Sequence, residues 1–149
     1  MLDIEGIQKR LDKLDRYVQI LQELQAADRV QFVRDYRLHG LAERYLHLSI
    51  ECLLDIANML VSGLGLRKPE RYQETVDILA GAGVLSHELA HRLAGVTGFH
   101  NVLVHEYLEV DRGLVYQYLQ ENLGDLKAFA QEVIRFVRSW QMKERGRGH

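Results

Sequence analysis

Two short stretches of this chain concentrate side chains that can move protons or hold a metal ion. The first is HELAH, residues 87–91. His87 and His91 lie one helical turn apart and can share a zinc ion, with Glu88 as general base. Zinc would need a third protein ligand, and HRLAGVTGFH offers Thr97 where a further histidine would fall. The plain alternative is an exposed helix face, with Glu88 favoured near the positive end of the helix dipole. The second stretch is FHNVLVHEY, residues 99–107. It sets His100, Asn101, His105, Glu106 and Tyr107 among the apolar Phe99, Val102, Leu103 and Val104. A buried imidazole must find hydrogen-bond partners or lose stability. Asn101 and His105, one turn apart, can satisfy each other, or the segment can serve acid–base chemistry. Positions 100 and 105 lie about 140° apart around an ideal helix, so they do not share a face. A site that uses both within one chain needs a break in the helix. A twofold interface instead brings two copies of the segment together.

These residues must be positioned by helices. Ile4, Ile7, Leu11, Leu14, Val18, Leu21 and Leu24 recur every three or four positions, the stripe of an amphipathic helix. Asp28 is expected to cap a second helical segment running to about Val61, kinked or split at Gly40. Its later half repeats Leu41, Tyr45, Leu48, Cys52, Ile56 and Leu60 with helical period. SGLGLRKP reads as a loop, with Pro69 in the first turn of a short third helix to about Ala80, ended by GAG at 81–83. Ser86 caps a fourth helix with Leu85, Leu89, Leu93 and Val96 on one face. A last helix is predicted from about Asp111 to Trp140, interruptible at Gly124 and Asp125, with KERGRGH as a frayed tail. No stretch alternates with period two. The expectation is one all-α domain over residues 1–149, an antiparallel up-and-down bundle of four major helices and one short one. His39 is expected at the surface beside Gly40, His47 toward a groove or solvent, and Cys52 in the core.

Composition narrows the partners. The chain has 149 residues, 47% hydrophobic and 27% charged, with a net charge of −2. No bulk positive field draws it to nucleic acid or membrane, so any RNA contact must come from a local surface. No apolar run is expected to span a bilayer. Cys52 is the single cysteine, which excludes an internal disulfide and suits a reducing cytoplasm.

LAERYLHLSIECLLDIANMLVSGLG, RYQETVDILAGAGVLS and LAGVTGFHNVLVHEYLEVD together resemble the HepT-like toxins of HEPN/MNT toxin–antitoxin pairs. The similarity runs from about residue 3 to residue 140. Its most specific part is the pattern F-R-N-x-x-x-H-x-Y, matched by Phe99, Asn101, His105 and Tyr107, with His100 at the arginine's place. The resemblance implies a HEPN-like helical bundle that forms a homodimer and cleaves RNA, tRNA or mRNA, without a metal or other cofactor. It implies no membrane or DNA partner. It implies His105 as the catalytic histidine, Asn101 as its polar helper, and a cleft at the dimer interface. It also implies a nucleotidyltransferase antitoxin that silences the toxin by transferring AMP to Tyr107.

His100 is the departure. Attack by a ribose 2′-hydroxyl builds negative charge on the phosphate, and arginine forks onto phosphate oxygens while always cationic. Histidine, with an ordinary pKa near 6.5, is mostly neutral at pH 7 and reaches less far. Losing one donor aimed at developing charge costs about a hundred- to a thousandfold in rate. Arg92, eight positions earlier, is no ready substitute. Two explanations stand: an engineered inactivating change, or a natural variant that uses His100 as a second acid–base group. Three functions follow in order: a HEPN ribonuclease impaired at position 100, an inactive dimeric helical module that binds a nucleotidyltransferase, and a zinc hydrolase built on HELAH.

Overall fold

The computed structural model describes residues 1–104 and 110–147. Among these, helices and loops account for every element: α1 (Ile4–Leu24), α2 (Arg29–Arg34), α3 (Tyr36–Gly63), α4 (Tyr72–Gly81), α5 (His87–Arg92), a 3-10 turn (Leu93–Gly95), α6 (Val96–Val104), α7 (Arg112–Glu121) and α8 (Leu123–Arg147). The all-α expectation holds.

The stripe on α1 buries Ile7, Leu11, Leu14, Val18 and Leu21, as its spacing predicts. Those side chains meet Leu46, Ile50, Leu53, Ile56 and Leu60 of α3, all without solvent exposure. The two helices run antiparallel. Tyr17 sits beside Tyr45 with rings 5.7 Å apart, and Arg10 pairs with Asp55 at 3.6 Å. Nearer the start of α1, Leu2 packs so closely on Gly63 that a Cβ there would lie 2.8 Å from its Cδ1. Phe129 and Val133 of α8 close the core. By length and mean hydropathy (1.3), α3 could cross a membrane, contrary to the sequence expectation, but half of its most apolar window is buried inside the protein.

Several boundaries differ from those expected, and carboxylate side chains act at two of them. The second segment breaks at Asp35, not Gly40. Asp35 takes an extended conformation and its carboxylate accepts from the Arg37 N–H at 2.9 Å, starting a new helix. Gly40 lies inside α3 with open space beside it. Pro69 precedes α4 instead of entering its first turn, where the Glu74 carboxylate accepts from the Glu70 N–H and Arg67. The predicted fourth helix is divided by the 3-10 turn into α5 and α6. The last is divided at Asn122, two residues before Gly124. KERGRGH is helical through Arg147, and its last two residues lie outside the described ones.

His39 is buried, not at the surface. It is 7% exposed, packs edge-on to Phe32, and has no hydrogen-bond partner on either ring nitrogen. Glu43 is the nearest carboxylate, at 3.8 Å. Burial, reinforced by the charge of Arg112, holds the His39 pKa below its ordinary value. Cys52 is a core residue as expected.

Candidate functional site

α6 is pinned by its apolar face. Val96, Phe99 and Leu103 are buried, and the Phe99 ring stacks flat on Tyr118 of α7 with centroids 3.9 Å apart. That anchoring turns His100, the next residue, toward α3. Asn101 and Val104 are exposed on α6, three positions apart and therefore neighbours on one face. Val104 was expected within the apolar surroundings of the segment, and instead it is 37% exposed.

α3 meets His100 with two residues one helical turn apart, His47 and Glu51. His100 Nε2 lies 2.5 Å from Glu51 Oε1, and His47 Nε2 lies 3.3 Å from the same oxygen. The two imidazole rings are 5.4 Å apart. Side-chain exposures of 17% for His100 and 21% for His47, against 46% for Glu51, leave the carboxylate the most accessible of the three. The hydrogen bond from His100 holds the Glu51 carboxyl below its ordinary value of 4.5, against a weaker opposing effect of burial. Two imidazoles thus converge on one ionised carboxylate. Such a set can orient an N–H donor toward a phosphate, or present two nitrogen lone pairs and an oxygen to a cation.

His47 was expected toward a groove or solvent, and the groove is the correct alternative. Glu51 was missed. Its signal was faint: it is the one carboxylate in the apolar run between Arg44 and Asp55, four residues after His47. The approach of His100 from another helix, which gives the pair its chemistry, has no trace in local sequence.

The expected catalytic His105 and the expected modification site Tyr107 lie outside the described residues, which resume at Val110. Arg92 is engaged elsewhere, 2.8 Å from Glu88 and 3.0 Å from Asp125, consistent with its not replacing the motif arginine. His87, Glu88 and His91 are exposed on α5. Among the described residues they gather no third ligand, and the one cluster of metal-ligating type is His47, Glu51 and His100.

An antiparallel all-α bundle with a histidine-bearing segment closing onto its longest helix is also the architecture of solved HEPN proteins on which this chain superposes. More narrowly, the chain belongs to the ribonuclease HepT-like family, whose model matches residues 7–133. It is 25% identical over 120 residues to the mRNA nuclease HepT of Shewanella oneidensis, which spans 80% of this chain and 90% of the relative. It is 25% identical over 131 residues to the tRNA nuclease HepT of Aphanizomenon flos-aquae, spanning 88% and 89%. Among solved structures, the tri-AMPylated HEPN toxin of Shewanella oneidensis in complex with MNT antitoxin superposes with a TM-score of 0.76. It is 25% identical, covering 91% of this chain and 99% of that one.

Proposed function

We propose that this chain is a HEPN-type toxin ribonuclease, one domain that cleaves RNA as a homodimer without a metal cofactor. The observation that carries the proposal is the family match over residues 7–133, which contains the whole FHNVLVHEY segment in order. The HepT relatives are named as an mRNA nuclease and a tRNA nuclease, so the substrate class is a cellular RNA of one of these kinds.

The chemistry assigns each residue a role. His105 takes the proton of a ribose 2′-hydroxyl, whose oxygen attacks the adjacent phosphorus. His105 of the second protomer returns a proton to the departing 5′-oxygen, so the proton balance closes and a cyclic phosphate remains. Asn101, exposed on α6, hydrogen-bonds the phosphate or the reacting imidazole. His100, held by Glu51, donates toward the phosphate where the motif's arginine would stand, with less charge and less reach. The chain is therefore a weaker nuclease than an arginine-bearing homologue.

Regulation falls to an MNT-type nucleotidyltransferase in the same cytoplasm, the kind of partner present beside the AMPylated Shewanella toxin. AMP on the Tyr107 hydroxyl would add negative charge and bulk where the RNA backbone approaches. The second reading, a module that binds the nucleotidyltransferase without cleaving RNA, is favoured by the tight His100–Glu51 contact, which draws Nε2 to a carboxylate. Expression with and without the neighbouring nucleotidyltransferase gene tests the proposal. Growth arrest relieved by the partner is expected, with AMP mass added to the chain but not to Tyr107→Phe. Absence of growth arrest for both this chain and His100→Arg supports the second reading.

A further inference from the structure

We propose that His47, Glu51 and His100 form a binding site for an exchangeable divalent transition ion of the zinc class. The ligand atoms all lie within 4.8 Å of one another. Both imidazoles direct Nε2 at the same carboxylate oxygen, at 2.5 and 3.3 Å. Tetrahedral zinc with bonds near 2.1 Å needs ligand atoms about 3.4 Å apart. Both nitrogen–oxygen separations fall short of that value and all three ligand atoms lie within 4.8 Å of one another, so side-chain shifts of about 1 Å seat the ion. Two imidazoles and one carboxylate suit zinc, copper, nickel or cobalt and not magnesium or calcium, which prefer all-oxygen shells.

Three protein ligands leave a fourth position for water. The exposed side of Glu51 gives the ion a path in. His47 Nδ1 is buried without a hydrogen-bond partner, so the ring lacks the acceptor that usually orients a metal-bound histidine. Such outer partners are worth about 10- to 100-fold in affinity. The ion is accordingly exchangeable and not a structural staple. The site depends on a histidine at position 100, because an arginine offers no lone pair to a metal.

The ion is no cofactor of the cleavage proposed above. It occupies His100 Nε2, the atom through which Glu51 holds that ring in the reading above, and so opposes RNA binding wherever that reading holds. The site itself rests on α3 and α6 alone. The test is a Co2+ titration of the full-length chain, stripped beforehand with chelator, followed by visible absorption and by displacement with Zn2+. One equivalent per chain is expected. Glu51→Gln, His47→Gln and His100→Arg should each weaken uptake by about 10-fold or more, with helicity unchanged by circular dichroism. His87→Gln and His91→Gln should leave it unaltered. No saturable uptake, uptake indifferent to His47 and His100, or uptake lost with His87 would overturn the site. Co2+ binding in a chain that cleaves no RNA, even as His100→Arg, upholds the site while the nuclease reading alone fails.

Discussion

HELAH on α5 and the His47–Glu51–His100 set between α3 and α6 make an instructive pair. Each holds two histidines and a glutamate. HELAH is contiguous and conspicuous, yet its imidazoles are exposed and its neighbours do structural work. Ser86 caps the helix by accepting from the Leu89 N–H at 3.1 Å. Glu132 of α8 accepts from the Ser86 N–H, and Arg92 bridges to Asp125 of α8 at 3.0 Å. These contacts join the start of α5 to a later part of α8 and its end to an earlier part, fixing an antiparallel seam. The other set is scattered over more than fifty residues and unremarkable on paper. Convergence is what distinguishes it, because two imidazoles from different helices meet at one carboxylate oxygen.

The contrast can be tested at four levels. His100→Arg should have the largest effect, raising RNA cleavage by about a hundred- to a thousandfold as a fork of permanent charge returns to the phosphate. Single-turnover rates on tRNA and mRNA would measure it. Ser86→Ala should cost about 1 kcal/mol of stability, read by urea denaturation, and leave cleavage per folded chain unchanged. An equal loss of cleavage would make α5 part of the site. Acid titration gives a smaller signal. The Glu51 pKa is depressed on folding, so its contribution is present above about pH 4.5 and fades as pH falls through the lower folded value. Denaturation midpoints followed downward from pH 5 should show that loss, and Glu51→Gln should lack this component. The smallest effect belongs to His87→Ala and His91→Ala, expected within about 0.5 kcal/mol of the parent as exposed substitutions.

Much of the bundle could be read in advance, because the α1 stripe and the later half of α3 repeat their apolar residues at helical spacing. The helix breaks could not. Asp35 ended one helix and began another through a single carboxylate-to-backbone bond, while Gly40, the residue with greater freedom, stayed inside a helix. His39 went inward because the face it shares with Ala42 and Leu46 is the core face, a fact that one glycine neighbour had obscured. For the candidate site, the segment holding His100 and Asn101 could be singled out in the sequence, whereas Glu51, which meets His100 from α3, could not. Local patterns report periodicity and caps. They do not report which residue of a distant helix will stand opposite.

The central claim is that residues 99–107 carry metal-independent RNA cleavage. The direct measurement is cleavage of labelled RNA by the purified chain in excess EDTA, beside His105→Ala shown to be equally folded. The account predicts measurable cleavage that survives chelation and falls by about a hundredfold or more in the variant. Cleavage that vanishes with EDTA, or that His105→Ala retains in full, would contradict it.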